Sequence, residues 1–308
     1  LWCKEQRCAK TNNPLISGVL AVAEHLGFHN IHPVVLGNAG NLVIYLAPYQ
    51  IVARVAILFP DDDSLLWKDV WVREIKVAKH LIAHGIPVVP YAREVSPGPY
   101  LVSDTWMTLW EYAEPAPISG LTTQQAMKMV HDLDTALAKY KDPLPLLGAW
   151  RNVAQAADDL STVHDDSRVV TLLMRYNNVN ERIHHEVLYP AHGDAHPGNL
   201  LATKMGWQWI DFEDVSLMPK FWDLASFIGN TALFQGLKHP LVQSVAALPE
   251  VLEDRVMFQY VLQARVIMST IINLALSLRG YVNLDFAQTQ LARIDDFLCC
   301  VDQGTMWR

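Results

Sequence analysis

At 308 residues the chain is long enough to fold around one large core or two smaller ones. It is 51% apolar and 18% charged, with no polar or repetitive tract, which excludes a disordered or low-complexity protein. A formal net charge of −8 argues against a general nucleic-acid binder, which would need a basic stripe for the phosphate backbone.

Cys3, Cys8, Cys299 and Cys300 have the spacing of neither a zinc half-site nor a redox CxxC, and reduced thiols in a cytoplasmic protein are expected. The residues begin at Leu1, so a native start codon upstream is expected, and no signal peptide is visible. The longest apolar run, Val266 to Leu278, is too short to span a bilayer. It contains Asn273 and is flanked by Arg265 and Arg279, so it reads as a buried core helix and no membrane association is expected.

Along the chain, an amphipathic helix over Pro14 to Leu26 precedes three strands: His32 to Leu36, Leu42 to Leu46 and Ile51 to Leu58. The small residues Gly37-Asn38-Ala39-Gly40 read as a loop between the first two strands, and Ala47-Pro48-Tyr49 as a turn before the third. A helix over Leu65 to His84, started by Asp63 or Ser64 and stopped by Gly85, carries an apolar stripe of Val70, Trp71, Ile75, Ala78, Leu81 and Ile82. Strands near Tyr100 to Ser103 and Met107 to Tyr112 complete a five-stranded set, and Glu114-Pro115-Ala116-Pro117 reads as a linker. Beyond it the pattern is helical over Thr122 to Tyr140, Ala149 to Leu160, Arg168 to Val187 and from Pro249 onward. One hairpin interrupts the helices, with strands at Leu200-Leu201 and Trp207 to Ile210 around Lys204-Met205-Gly206. The expected class is α+β, with a strand-rich domain over residues 1–112 and a helical domain over 113–308.

The stretch from Tyr189 to Asp214, YPAHGDAHPGNLLATKMGWQWIDFED, carries the chemistry. Asn199 lies five residues after Asp194, and Asp211 twelve after Asn199. Phosphoryl transfer needs a carboxylate to hold the attacking hydroxyl, with an amide oxygen and a second carboxylate to hold Mg²⁺ against the phosphates. A loop ending in Asn199, followed by a hairpin that returns Asp211 beside it, supplies those parts.

At these residues the chain resembles the aminoglycoside phosphotransferase and choline kinase superfamily. The HGDxHxxN motif matches His192, Gly193, Asp194, His196 and Asn199. The IDF metal motif matches Ile210, Asp211 and Phe212, while a downstream GDPxxDLA segment survives only as Asp223, Leu224 and Ala225. The resemblance implies a two-lobed protein-kinase-like fold, a small five-stranded antiparallel lobe beside a larger mainly helical one. It implies Asp194 as catalytic base, Asn199 and Asp211 as Mg²⁺ ligands and Asp223 as an anchor of the catalytic loop, with His196 beside the phosphate or structural. ATP or GTP would be the phosphate donor, and a hydroxyl of a small molecule the acceptor.

Arg54 shares a strand face with Val52 and Ala56. Glu74 lies on the helix stripe with Trp71, Ala78 and Leu81, where a carboxylate is costly without a cation to meet it. Arg54 is the natural partner, and the pair resembles the strand lysine and helix glutamate with which kinases grip the α- and β-phosphates, with Arg in place of Lys. The bland alternative is a salt bridge tying strand to helix. Backbone N–H groups around Gly37, Gly40 and Asn41 are candidates to cover the triphosphate, an ordinary hairpin turn being the competing reading. By position, Glu111, Tyr112 and Ala113 are the hinge that would read the purine edge.

Three rival readings are open. His192, Asp194 and His196 alternate as half of a metal site, but nothing completes it and Asn199 and Asp211 would go unexplained. A catalytically weak, kinase-like binding protein would keep the fold and lose turnover. A protein kinase is disfavoured, because no lysine stands between Asp194 and Asn199 and no APE-like segment follows Asp211. Relatives of the fold act on aminoglycosides, macrolides, peptide antibiotics, choline-like amines and sugars. Asp158-Asp159, Asp165-Asp166, Glu253-Asp254 and Asp295-Asp296 would attract a cationic acceptor or would simply be solvated helix faces. Oligomeric state is left open by the sequence.

Overall fold

The computed structural model describes residues 13–57, 64–162 and 166–307. Cys3, Cys8, Asp63, Asp165 and the end of the third predicted strand at Leu58 lie outside the described residues. Two compact units emerge, Leu1–Ser119 with Gly198–Glu213, and Gly120–Pro197 with Asp214–Arg308. The division thus falls after Ser119, where the sequence pointed to residue 112, and the hairpin after the HGD motif groups with the first unit.

Helix α1 (Pro14–His25) starts where Asn13 caps it, its side chain accepting the Leu15 N–H, with Pro14 at the first helical position where no N–H is needed. Its buried Ile16, Val19 and Ala23 join Leu42, Ile44, Leu46, Ala53, Val55 and Leu109 in one apolar cluster. Strands β1 (His32–Ala39), β2 (Asn41–Ala47), β3 (Ile51–Ala56), β4 (Tyr100–Val102) and β5 (Thr105–Glu111) form an antiparallel sheet ordered β1-β2-β3-β5-β4. Helix α2 (Ser64–Ala83) packs on β5 and buries Trp71, Ala78 and Leu81.

One expectation is corrected here. Gly37-Asn38-Ala39-Gly40 is not a loop: β1 continues through Ala39 with an irregularity between Val35 and Gly37, and Ala39 pairs with Asn41. The turn falls on Gly40 alone, at φ +80, which glycine adopts without a Cβ penalty. Ladder hydrogen bonds outweigh the loop propensity of small residues, and the irregularity absorbs the mismatch.

Helix α3 (Thr123–Leu137) opens with a capping box, Thr122 and Gln125 satisfying each other's backbone N–H. It is followed by α4 (Val153–Ser161), α5 (Ser167–Ile183) and strand β6 (Leu188–Ala191). The chain then enters the first unit as the hairpin β7 (Leu200–Thr203) and β8 (Gly206–Trp209). There Trp209 exchanges backbone hydrogen bonds with Pro87 and Val89, and Ala116 donates to Ala202, fastening both strands. On return, β9 (Ser216–Pro219) pairs antiparallel with β6, a small sheet the sequence did not announce because no local turn joins two short strands so far apart in the chain.

Helices α6 (Trp222–Gln235), α7 (Pro240–Ala246), α8 (Pro249–Glu253), α9 (Arg255–Leu278) and α10 (Leu284–Asp302) complete the second unit. The apolar run at Val266 extends backward to Arg255. At 24 residues with mean hydropathy 1.6, α9 is therefore long and apolar enough to cross a membrane by length and composition, which corrects the shorter span expected. Its side chains meet protein: α9 packs against α4, α5, α6 and α10, and Phe258, Val261, Leu262 and Ile271 are fully buried. Phe258 touches Phe221 and Trp307 edge to face, at 5.7 and 6.4 Å between ring centres. Phe258→Ala should destabilise the second unit by about 3–5 kcal/mol, read as a lower urea midpoint. A loss near zero would mean that this aromatic cluster is not a core.

Candidate active site

In the second unit, β6 delivers the chain to His192, Gly193 and Asp194. Gly193 has φ +86, and a Cβ there would stand 2.3 Å from the Asp214 carbonyl oxygen, so no side chain fits. The loop is held from behind by Asp223 at the start of α6. One carboxylate oxygen accepts the His192 N–H at 2.6 Å and the other the Gly193 N–H at 3.0 Å, while the Trp222 indole N–H donates to the Gly193 carbonyl at 2.8 Å. Asp134 on α3 reaches the same carboxylate. Burial, and then the Asp223 carboxyl beside it, push the Asp134 carboxyl well up.

Asp194 is thereby presented on a fixed backbone. Its Oδ1 accepts from Arg265 Nη2, its Oδ2 lies 3.3 Å from His196 Nε2, and its carbonyl accepts the His196 N–H at 2.8 Å. Burial alone would raise this carboxyl, but Arg265, then His196 and His192, overcome it and hold Asp194 down at about 2. Arg265 comes from α9 and is itself fixed by Nε donating to Ser226 Oγ at 2.9 Å.

In the first unit the corresponding centre is Arg54, only 9% exposed on β3, with its guanidinium over the Trp71 ring. Nη1 binds the fully buried Glu74 of α2, and Nη2 binds both Asp211 Oδ1 at 2.5 Å and Glu213 Oε2 at 2.7 Å. The Asn41 amide donates to Glu213 at 3.2 Å, Arg73 donates to the Glu213 carbonyl, and the Phe212 N–H donates to Glu74 at 3.2 Å. One guanidinium thus faces three carboxylates. Burial, with Asp211 and Glu213 adding to it, pushes Glu74 up to about 8 despite Arg54.

The hairpin register brings the Asn199 backbone against Ile210, the residue before Asp211. Leu200 pairs with Trp209, and one rung further the Ile210 N–H donates to the Asn199 carbonyl at 3.0 Å. Asp211 follows at φ +71, a left-handed turn that ends the hairpin beside Asn199. Asp211 Oδ2 accepts from no described residue, and its side chain is 32% exposed. Among the described residues no three His, Cys, Asp or Glu side chains form a metal cage. A hard divalent cation of the Mg²⁺ kind takes one or two protein oxygens and fills its shell with phosphates and water. An amide oxygen and a carboxylate beside a cluster with excess negative charge are such a donor set.

Other predicted positions fare unevenly. Asn41 joins the carboxylate cluster, and a Cβ at Gly40 would meet nothing within 4 Å. The hinge reading of Glu111, Tyr112 and Ala113 narrows, because the Glu111 N–H already donates to Pro90 and the Tyr112 N–H to Gln50, leaving the Ala113 amide. Tyr112 instead stacks on Tyr45, with ring centres 4.1 Å apart. Residues the sequence reading passed over are Asp134, Glu213 and Arg265. Asp134 and Arg265 carry the signal that exposed Glu74, a charge among inward-facing helix positions, whereas Glu213 becomes readable only from the hairpin register.

A carboxyl whose folded pKa is raised gives stability that is full below its ordinary value near 3.8 and lost as pH rises through the folded pKa. Asp134→Asn keeps a donor for Asp223 without a proton to lose. Its unfolding free energy should therefore fall less steeply than the wild type's from mildly acidic to alkaline pH. Parallel curves would show that Asp134 holds no proton.

The Phosphotransferase enzyme family (APH) matches residues 67–254. No curated protein sequence compared with the chain matches it. Among solved structures, the amicoumacin kinase hAmiN in complex with AMP-PNP, Ca²⁺ and Ami superposes with TM-score 0.64 at 14% identity, over 93% of each chain. The choline kinase LicA from Streptococcus pneumoniae gives 0.64 at 14%, over 91% of this chain and 98% of its own. The GDP complex of aminoglycoside 2′-phosphotransferase-IIIa gives 0.58 at 12%, over 93% and 99%. At such identities the structures establish the fold: α+β, a five-stranded antiparallel sheet plus helices, as in small-molecule kinases. On the family match, which spans more than half its length, the chain belongs to the phosphotransferase enzyme family.

Proposed function

We propose that the chain moves the γ-phosphoryl group of ATP or GTP to a hydroxyl of a small molecule in the cytoplasm. The observation that carries the reading is the base of the β7–β8 hairpin, where the Ile210 N–H on the Asn199 carbonyl brings the Asp211 backbone up to Asn199 and Arg54 holds one oxygen of Asp211. Arg54, backed by Glu74, binds phosphate oxygens, and the backbone at Gly37, Gly40 and Asn41 borders them. The Ala113 amide reads the purine edge. Asn199 and Asp211 are the ligands for Mg²⁺, which when bound neutralises charge on the β- and γ-phosphates.

Asp194 holds the acceptor hydroxyl. Its proton passes to the carboxylate as the hydroxyl oxygen bonds to the γ-phosphorus, and the bond from that phosphorus to the β–γ bridging oxygen breaks to release the nucleoside diphosphate. With its pKa near 2, Asp194 is too weak a base to ionise a free alcohol. It orients the nucleophile and takes the proton late, once bonding to phosphorus has made the hydroxyl acidic, as a loose transition state requires. His196, against Asp194 Oδ2, keeps the carboxylate from rotating. The antibiotic and choline kinases that share the fold are consistent with an antibiotic, such as an aminoglycoside or macrolide, or a metabolite, such as an amino alcohol or sugar, as acceptor.

Asp194→Asn should lower turnover about 10²–10⁴-fold while Mg-nucleotide affinity stays within about twofold. Near-normal turnover would remove Asp194 from the chemistry. Asp211→Ala should abolish the Mg²⁺-dependent thermal stabilisation by nucleotide, which for wild type at a hundredfold excess over Kd is about 2.7 kcal/mol. An unchanged shift would exclude Asp211 as a ligand.

A further inference from the structure

The face of Asp194 turned to an acceptor is not purely acidic. Arg265 stands against it, 8% exposed on α9, and its recorded hydrogen bonds come from Nη2 to Asp194 and from Nε to Ser226. Nη1 makes no hydrogen bond to any described residue. A guanidinium presents five N–H groups in a fixed fork, so once Nε and Nη2 are pinned the direction of Nη1 is set as well.

Several acids are, meanwhile, already paired within the chain. Asp159 binds Arg279, Asp166 binds Arg168, Asp302 binds Arg175, and Asp254 caps α9 by accepting the Met257 N–H. The negative charge nearest the reacting hydroxyl, that of Asp194, is met by the Arg265 cation within hydrogen-bond contact.

We infer that Arg265 is the acceptor-recognising cation of this site, its Nη1 binding an oxygen of the acceptor next to the hydroxyl to be phosphorylated. The substrate is therefore an alcohol whose neighbouring group is a hydroxyl, carbonyl or carboxylate oxygen. An ammonium at that place would meet a fixed like charge in a poorly hydrated setting and would offer Nη1 no acceptor. The inference rests on the phosphotransferase reading above and narrows its acceptor class, turning away from choline-like and other amino alcohols.

The test uses the full chain with Mg²⁺ and ATP or GTP, and matched acceptors: glucose, glucosamine and N-acetylglucosamine; glycerol, 2-amino-1,3-propanediol and glycerate; a macrolide, an aminoglycoside and choline. Phosphorylated products are located by mass spectrometry. Transfer should favour the oxygen-flanked member of a matched set over its ammonium analogue by at least about tenfold in kcat/KM. Arg265→Gln should lose about ten- to a hundredfold, mostly through KM, with nucleotide affinity unchanged, and Arg265→Lys should recover part of it. If the preferred acceptor carries an ammonium beside the phosphorylated hydroxyl, the assignment of Arg265 is overturned while the phosphotransferase reading stands. Should nucleotide bind with no transfer to any compound, the phosphotransferase reading itself fails and takes this one with it. Because the wild-type comparison decides between ammonium and oxygen by itself, a poorly folding Arg265→Gln does not rescue the idea.

Discussion

The first unit depends on one cation taken out of water. Arg54 joins strand β3 to helix α2 through Glu74, and to the segment after β8 through Asp211 and Glu213. A buried guanidinium is tolerable only when its charge is met and its donors are filled, and removing one partner of such a cluster leaves an uncompensated charge costing about 3–5 kcal/mol. The same contacts fix where Asp211 lies. Structural and chemical demands therefore converge on one side chain, and a salt bridge between strand and helix is an incomplete description of it.

Arginine suits this place for a geometric reason. A lysine presents a single point charge, whereas the planar fork of Arg54 reaches Glu74 with one nitrogen and two further carboxylates with the other. Burial first, and then the neighbouring Asp211 and Glu213, make Glu74 reluctant to ionise.

The second unit solves a different problem, that of holding a loop still. Asp223 uses both carboxylate oxygens on consecutive backbone N–H groups, Trp222 fills the Gly193 carbonyl, and the Asp214 backbone closes over Gly193 so tightly that only hydrogen fits. Asp194 is then aimed by backbone constraints, not by its own rotamer. Asp134 stands beside Asp223 as a second carboxyl, its titration pushed up by burial and by that neighbour.

Period and turn chemistry in the sequence were enough for the α+β class, the sheet's five strands and the inward orientation of Arg54 and Glu74, because alternation and helical spacing are local properties. The HGDxHxxN motif from His192 to Asn199 and the IDF motif at Ile210 to Phe212 carried the resemblance to the family. What local pattern does not encode is which distant groups share a charge: Arg265 lies 71 positions from Asp194, and Asp134 and Asp223 come from separate helices. The four-residue β6 and β9 pair only because the excursion between them leaves the unit and returns. Small residues at Gly37 to Gly40 read as a loop until strand pairing claimed them. Tertiary structure decided these points, since burial converts a lone charge or an unpaired amide into a demand for a partner, and only the folded chain shows which partner answers it.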